Sequence, residues 1–330
     1  MKLSVGIGLT NDCNLHCAHC YRDTQDIDYI SLEQVKVICE NLPVGSMGFG
    51  TGESALHPEF ASIVEYLYDR KISLSLASNG YSLMAIPDEH LQMLHDVEVS
   101  IDFPTLKEQD AFRGDGNWVL VHQAMERCRA LGVPVSVLAT LMSINYARMD
   151  ALVDVARAQD ASLRVNVYQS VKTDRFRLSY EQFWEGYRLL FGAARVISCT
   201  EPVVRAALGF EDVSSPCGHT SVRFNPRGQI IPCVYWPVDG HVSTILDLPR
   251  LNTVVMESEE FHRACALPTS AANCPCRGGC ASRRALNGNL DAHDEYCPWV
   301  RGDGIQLDWE PAPATNLVRA RNVCTTIVAP

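Results

Sequence analysis

Three cysteines lie close together near the start of the chain, in the segment NDCNLHCAHCYRD over residues 11–23. Cys13, Cys17 and Cys20 have the spacing Cys-x3-Cys-x2-Cys, directly after an apolar segment that predicts a β-strand. Three thiolates on one short loop can bind three corners of an iron-sulfur cube and leave one iron without a protein ligand. The alternative is a tetrahedral zinc site completed by His16 or His19.

A second group of cysteines lies between residues 217 and 297. The stretch CGHTSVRFNPRGQIIPC predicts a hairpin with two thiolates at one end, CPCRGGC adds three more, and DEYCPW contains the last. The seven residues are Cys217, Cys233, Cys265, Cys274, Cys276, Cys280 and Cys297. A zinc-binding domain is one interpretation, but seven thiolates exceed a single four-ligand zinc site.

The composition restricts the class of protein that carries these cysteines. The chain has 330 residues, 47% of them hydrophobic and 20% charged, and no apolar stretch approaches the roughly 18 residues of a membrane helix. The first residues predict a strand rather than a signal peptide, so we expect a cytoplasmic protein in which the 14 cysteines remain reduced. A net charge of -11 without a basic block argues against nucleic acid as a partner.

Apolar strands alternate with amphipathic helical stretches over the first two thirds of the chain. The sequence predicts strands at 3–9, 45–49, 72–78, 97–102, 133–141 and 162–168. It predicts helices at 31–42, 58–71, 117–132 and 145–160, the first beginning after Ser31 and the third ending at Gly132. Six β-α units favour a partial or complete α/β barrel over an open doubly wound sheet. Periodicity does not settle whether the barrel closes, and we predict a partial (β/α)6 TIM-like barrel.

The composition changes near residue 200, where helical periodicity fades and Cys, Pro and Gly become frequent. We therefore predict an α/β barrel over residues 1–205 and a small cysteine-rich domain stabilised by metal over 206–300. Residues 301–330 are predicted to form a loop and a short tail that packs on the body.

The first cysteine loop resembles the cluster-binding loop of the radical S-adenosylmethionine (radical SAM) enzymes, with His19 where that family usually has an aromatic residue. The segment GFGTGESALHPEF resembles the family's Gly-Gly-Glu segment, with Thr51 for a glycine and Ser54 for a proline. The resemblance implies that Glu53 holds the amino group of S-adenosylmethionine, while Gly50 and Gly52 let the backbone approach closely.

Two further segments match this family where strands three and four should end. They are SNG, with Ser78 and Asn79, and VSID, with Ser100 and Asp102. The resemblance implies that Ser100 contacts the cofactor, and it extends this role to Arg113 in FRGDGNW and to Asn79 and Asp102. It covers residues 3–170 and implies a [4Fe-4S] cluster that cleaves S-adenosylmethionine to a 5′-deoxyadenosyl radical, which abstracts a substrate hydrogen atom.

The second cysteine group resembles the SPASM extension of radical SAM enzymes, which binds auxiliary iron-sulfur clusters. The resemblance implies one cluster on Cys217, Cys233 and Cys280, and a second on Cys265, Cys274, Cys276 and Cys297. Two fully cysteine-ligated clusters need eight thiolates, so the eighth position falls to Cys199, Asp294, water or substrate, and we expect an open site on the first cluster. A single auxiliary cluster with spare thiols is the alternative.

The resemblance implies an enzyme that modifies a peptide oxidatively, by cross-linking or dehydrogenation, with an electron donor such as a flavodoxin or ferredoxin. Only twelve residues precede Cys13, so we expect a separate peptide-recognition protein, direct binding of the peptide core, or a small-molecule substrate. The second hypothesis is a radical SAM dehydrogenase or epimerase of a small metabolite such as an amino sugar. The third is a non-catalytic metal-binding scaffold. Tyr21, Tyr168, Tyr235, Trp236 and Asp294 are candidates for lining the pocket.

Overall fold

The computed structural model describes residues 2–210, 221–238, 242–251, 274–313 and 324–330. Its strands are β1 (Leu3–Ile7), β2 (Val44–Phe49), β3 (Ser73–Ser78), β4 (Asp96–Ser100), β5 (Val135–Leu141), β6 (Ser162–Val167), β7 (Arg195–Cys199), β8 (Ser221–Phe224), β9 (Ile230–Ile231) and β10 (Thr325–Ala329). The α-helices are α1 (Leu32–Asn41), α2 (Phe60–Asp69), α3 (Tyr81–Ala85), α4 (Asp88–Gln92), α5 (Leu106–Arg113), α6 (Asn117–Ala130), α7 (Met149–Ala158), α8 (Tyr180–Ala193), α9 (Pro202–Ala207), α10 (Ala281–Leu286) and α11 (Pro298–Arg301).

All of these strands belong to one mixed sheet with the order β7-β10-β6-β5-β4-β3-β2-β1-β8-β9. Strands β1 to β6 are parallel neighbours in chain order, and helices connect them. The outer neighbour of β6 is β10 and that of β1 is β8, so β1 and β6 do not meet and the barrel stays open. The predicted partial barrel is confirmed, and the six predicted strands end within two residues of the observed ones.

Local sequence signals explain where two of the connecting helices begin and end. Ser31 caps α1, because its hydroxyl accepts a hydrogen bond from the Gln34 amide at 3.3 Å and the Gln34 side chain accepts one from the Ser31 amide at 2.9 Å. Gly132 follows α6 with φ +73°, a conformation that favours glycine, and the chain then enters β5. Both boundaries were predicted from the sequence.

The two faces of the parallel sheet differ in chemistry, since successive side chains of a strand point to opposite sides. One set, Leu74, Leu76, Val97, Val99, Leu163 and Val165, is apolar and belongs to the hydrophobic core. The alternate set, Ser75, Ala77, Glu98, Ser100, Arg164 and Asn166, lines a cavity. The sheet therefore presents a small and polar surface on the side where a ligand can enter.

Segments from the second half of the chain extend the same sheet. Strand β8 pairs with β1 in parallel, and β10 lies between β6 and β7 and is antiparallel to both. The tail from Arg301 packs on the body through Ile305, Leu307 and Trp309, but the sequence did not predict that its end is an internal strand. Within the described ranges, no helix has the length and apolar character to cross a membrane. The division into domains stays a prediction.

The position of β10 gives a test of the fold. Ile327 is 1% exposed in this strand, so Ile327→Ala should lower the free energy of unfolding by about 2–5 kcal/mol through lost burial and a cavity. Leu246→Ala is the control, because Leu246 is 69% exposed and its loss should change stability by no more than about 0.5 kcal/mol. Denaturant unfolding followed by circular dichroism measures both, and equal small effects would contradict the internal position of β10.

Candidate functional site

A cavity of about 260 Å³ lies at the carboxyl ends of the parallel strands. It brings together most of the residues expected to bind a cluster and a cofactor: Cys13, Cys17, Cys20, Gly50, Gly52, Glu53, Ser78, Asn79, Ser100 and Arg113 all line it. Tyr21 and Tyr168 line it too, as do Val234 and Tyr235 from the second half of the chain. Segments far apart in sequence therefore share one cavity.

The three N-terminal cysteines form a donor set that suits a metal cluster. All three cysteines line the cavity and are only partly buried, and a turn closed by the Cys20 amide and the Cys17 carbonyl at 3.0 Å connects the backbones of two of them. Burial raises the pKa of the Cys13 thiol to about 11 and also raises that of Cys17. A bound cation must therefore displace their protons, as metals do at cysteine ligands.

The Gly52–Glu53 segment packs directly against the chain that leads into this loop. Gly52 has φ +67°, and a Cβ there would lie 2.3 Å from the Asp12 carbonyl oxygen and 2.5 Å from that of Thr10. The Glu53 amide donates a hydrogen bond to the Asp12 carbonyl at 2.7 Å. Only a residue without a side chain fits at this contact, which explains the glycine that the sequence singled out.

The Glu53 carboxylate is buried and links the second loop to the third. It accepts hydrogen bonds from the Ser78 hydroxyl, from the Asn79 amide at 3.1 Å and from the Ser82 amide at 2.9 Å. The Asn79 side chain in turn lies 3.6 Å from the Cys13 sulfur. Glu53 thus lines the cavity and also fixes the segment that contacts a cysteine.

Asp102 and Arg113 form an ion pair on the other side of the cysteine loop. The Arg113 guanidinium lies 2.6 Å from the Asp102 carboxylate and 4.0 Å from the Cys17 sulfur. Asp102 is fully buried, and its carboxylate also accepts the Thr140 amide at 2.8 Å. Asp102 is not among the residues that line the cavity. Its role in the geometry is to hold Arg113 beside the cysteines.

His19 stacks on Phe112 with ring centroids 4.9 Å apart, and burial lowers the pKa of its imidazole to about 4. The neutral ring of His19 therefore packs like the aromatic side chain that the resemblance implies at the position before Cys20.

Several charged residues around the cavity were not predicted from the sequence. Arg22 donates hydrogen bonds to the Asn11 carbonyl at 2.8 Å and the Leu15 carbonyl at 2.5 Å, which braces the cysteine loop. Arg164 binds Glu98 at 2.8 Å on the cavity-lining face of the sheet, and Arg223 lines the cavity from β8. For Arg164 and Arg223, the sequence signal was a charged residue inside a predicted strand or hairpin, as in LRVNV.

Three of the C-terminal cysteines meet at one point. The sulfur atoms of Cys274, Cys276 and Cys297 lie 3.0–3.4 Å apart. In the described part of the chain, this is the one group of three side chains whose ligand atoms all lie within 4.8 Å of one another. Thiolates bound to one zinc ion, at about 2.3 Å from it, stand about 3.8 Å apart. A cubane needs wider spacing, because each thiolate binds a different iron. Thiolates can bind either zinc or an iron-sulfur cluster. A cluster would require the three sulfur atoms to move apart.

The other C-terminal candidates lie apart from this triad. Cys233 and Cys280 are buried and do not belong to it. Cys199 does not belong to the triad either, and its sulfur lies 3.3 Å from the Thr326 hydroxyl. Cys217 and Cys265 fall outside the described residues. Cys280 lies outside the group formed by Cys274, Cys276 and Cys297. The assignment of these cysteines to two clusters stays a prediction.

A buried ion-pair network holds the cysteine-rich segment against the sheet. The Arg283 guanidinium binds the carboxylates of Asp294, at 2.6 Å, and of Glu201, and all three side chains are at most 4% exposed. The Asp294 carboxylate also accepts the Cys280 amide at 2.7 Å, and its carbonyl accepts the Cys297 amide at 3.0 Å. Asp294 therefore does not face the cavity but connects two candidate ligands.

The contact at Gly52 predicts a specific sensitivity. Gly52→Ala should lower the free energy of unfolding by more than the roughly 1 kcal/mol expected for left-handed strain alone, because its Cβ would meet two backbone oxygens. It should also reduce iron retained by the N-terminal cysteines. Gly132→Ala is the matched control, since Gly132 has φ +73° with open space around it. Denaturant unfolding and iron analysis compare the two, and equal losses would refute a close loop contact.

The ion-pair network predicts a large effect of removing its cation. Arg283→Met leaves two carboxylates buried together and should cost about 3–5 kcal/mol in unfolding free energy. The control is Arg188→Met, because the Arg188–Glu185 pair on α8 is about half exposed and is worth about 0–1 kcal/mol. Chemical denaturation measures both variants, and a loss at Arg283 no greater than at Arg188 would contradict the network.

Comparison with known proteins identifies the family of the segment that contains the N-terminal cysteines. Residues 7–156 match the model of the radical SAM superfamily. Mycofactocin maturase MftC from Mycobacterium tuberculosis is 26% identical to this chain, over 93% of the chain and 83% of MftC.

Two solved structures share the fold. The structure of anSMEcpe with bound AdoMet and the Cp18Cys peptide has a TM-score of 0.70 and 18% identity, covering 91% of this chain and 95% of that one. Streptococcus suis SuiB bound to the precursor peptide SuiA has a TM-score of 0.67 and 13% identity, covering 90% and 76%. The family match, with the cysteine loop and the open barrel, shows that residues 7–156 form a radical SAM domain and that the chain is an enzyme.

Proposed function

We propose that this enzyme is a peptide maturase, which oxidises a peptide by cross-linking or dehydrogenation. The observation that carries the proposal is the alignment with MftC, a maturase by name, over 93% of this chain. Similarity of the fold to SuiB, whose structure contains a precursor peptide, supports the same class of substrate. The reaction belongs to the biosynthesis of peptide natural products.

In this proposal the cavity binds a [4Fe-4S] cluster through Cys13, Cys17 and Cys20, and S-adenosylmethionine through the loops around them. Bound together, the two groups would supply a 5′-deoxyadenosyl radical for hydrogen abstraction. Glu53 and the backbone at Gly50 and Gly52 would accept hydrogen bonds from the cofactor's amino group. Ser78 and Asn79 orient the Glu53 carboxylate.

Ser100 and Arg113 would complete the cofactor site. Both line the cavity, Ser100 at the end of β4 and Arg113 at the end of α5. Asp102 contributes by holding the guanidinium in place, through a contact of 2.6 Å. A guanidinium forms strong charge-assisted hydrogen bonds with a carboxylate. Arg113 would therefore bind the carboxylate of S-adenosylmethionine.

The C-terminal cysteines would bind one or two auxiliary iron-sulfur clusters. Removal of one hydrogen atom leaves a substrate radical, and completing a two-electron oxidation requires loss of one more electron and one proton. An auxiliary cluster would accept this electron. Zinc at the Cys274, Cys276 and Cys297 triad is the second candidate, favoured by the short distances between the three sulfur atoms.

The remaining assignments complete the proposal. A flavodoxin or ferredoxin would supply the electron that starts the reaction, and a separate protein would present the peptide. We place the enzyme in the cytoplasm, where low-potential donors and reduced thiols are available. The small-metabolite alternative is the weaker one, because the relatives that extend over nearly all of this chain include a named maturase.

The metal assignment has a direct test. After anaerobic reconstitution, the triple variant Cys13→Ala, Cys17→Ala, Cys20→Ala should contain about four irons per chain fewer than the wild type: about eight against twelve with two auxiliary clusters, and about four against eight with one. The triple variant should also form no 5′-deoxyadenosine from S-adenosylmethionine and dithionite. Cys39→Ala and Cys128→Ala, on α1 and α6, are matched controls that should keep all iron. Zinc in place of iron, with no iron lost in the triple variant, would overturn the assignment.

The substrate class is tested with short peptides encoded beside the gene for this protein. Mass spectrometry of a reaction with such a peptide should detect the loss of hydrogen atoms in pairs. The small-metabolite alternative would be favoured if an amino sugar accelerated the formation of 5′-deoxyadenosine and none of the peptides did.

A further inference from the structure

Thr51 has a backbone conformation that its residue type disfavours. Its φ is +70°, in the left-handed region where a β-branched side chain is strained. Three other non-glycine residues with positive φ are described, Lys71, Asp160 and Arg277, and none of them lines the cavity. Such strain persists only where surrounding contacts hold it, and it is concentrated at functional sites.

Two neighbours hold the Thr51 side chain. Its hydroxyl oxygen lies 2.8 Å from the phenol oxygen of Tyr21. Gly8 leaves the space for it, since a Cβ at Gly8 would lie 3.0 Å from the Thr51 Cβ. A glycine at position 51 would relieve the strain but could not make the hydrogen bond. The strained conformation therefore serves the contact with Tyr21.

Tyr21 forms a wall of the cavity that contains the cysteines. It follows Cys20 directly, and its ring packs edge-on against Tyr235 with centroids 5.1 Å apart. Burial raises the pKa of Tyr21 to about 12, so the phenol stays protonated at neutral pH. The wall thus joins the N-terminal loop to the second half of the chain.

A second cavity of about 130 Å³ lies against the same wall. Tyr21, Arg22, Thr51 and Val234 line both cavities. Phe224, Ile231 and Trp236 give the second cavity an apolar side. Both partners of the Thr51–Tyr21 hydrogen bond therefore contact the two spaces.

We propose that Thr51 is a positioning residue that acts through Tyr21: their hydrogen bond fixes the Tyr21 ring as a partition that closes the cysteine cavity against the neighbouring one. The inference rests on the proposed cofactor site at Cys13, Cys17 and Cys20. A closed partition leaves the substrate side as the route into the cavity and keeps small hydrogen donors from entering through the neighbouring cavity. With the partition open, a thiol such as dithiothreitol can donate the hydrogen atom, giving 5′-deoxyadenosine and a thiyl radical.

The test uses the reconstituted holoenzyme with S-adenosylmethionine, dithionite as electron source and dithiothreitol as hydrogen donor, and no peptide. Thr51→Gly and Tyr21→Phe should each raise the dithiothreitol-dependent rate of 5′-deoxyadenosine formation about fivefold, the factor that corresponds to one hydrogen bond. The double variant should show the same increase as either single variant, because both remove one interaction. Thr51→Ser keeps the hydroxyl and should behave as the wild type.

Lys71→Gly is the matched control for strain relief. Lys71 has φ +59° outside the cavity, so its replacement should leave the rate unchanged. An increase in this control, additive effects of Thr51→Gly and Tyr21→Phe, or no increase in either variant would overturn the partition. The melting temperature of each holoenzyme, which should stay close to that of the wild type, identifies any variant that fails to fold.

A second readout separates failure of this inference from failure of the proposed function. The rate at which an iron chelator removes iron should rise in Thr51→Gly and Tyr21→Phe and stay constant in Thr51→Ser. If the wild type retains iron but forms no 5′-deoxyadenosine, the proposed chemistry fails while chelation still tests the partition. Equal rates of chelation in all variants would refute the partition alone.

Discussion

The site depends on the contact between residues 10–13 and the Gly52–Glu53 segment. The Asp12 carbonyl accepts the Glu53 amide, and the absence of a side chain at Gly52 allows this approach. This contact places the Glu53 carboxylate beside Ser78 and Asn79, and the Asn79 side chain in turn contacts the Cys13 sulfur. Three loops thus form a closed cycle of contacts, in which a shift of one moves the other two.

The open sheet makes this cycle useful for chemistry. Parallel strands bring their carboxyl ends to one edge, so the loops after β1, β2 and β3 meet there. Because β1 pairs with β8 and β6 with β10, the two sides of the partial barrel are protected from edge-to-edge association while the cavity stays accessible. The segment after β9 then supplies Val234 and Tyr235 to the wall.

Features encoded locally could be predicted from the sequence, and those that depend on distant pairing could not. The strands, the helix start at Ser31 and the cysteine loop follow from periodicity, capping residues and spacing. The internal strand β10 could not be recognised, because its partners β6 and β7 lie more than 120 residues away in the chain. Glu201 and Arg283 look like surface residues in sequence, since charged side chains are seldom buried unless paired.

The two cysteine sites differ in what surrounds them, and this difference bears on their roles. Cys13, Cys17 and Cys20 face a cavity, so any metal that they bind has an open side toward a ligand. In the C-terminal triad, Cys276 and Cys297 are each 1% exposed, and no triad thiol lines either described cavity. Catalytic metal sites keep an open position, whereas structural ones are closed by protein. The N-terminal cysteines therefore have the surroundings of a catalytic metal site, whereas the triad has those of a structural one.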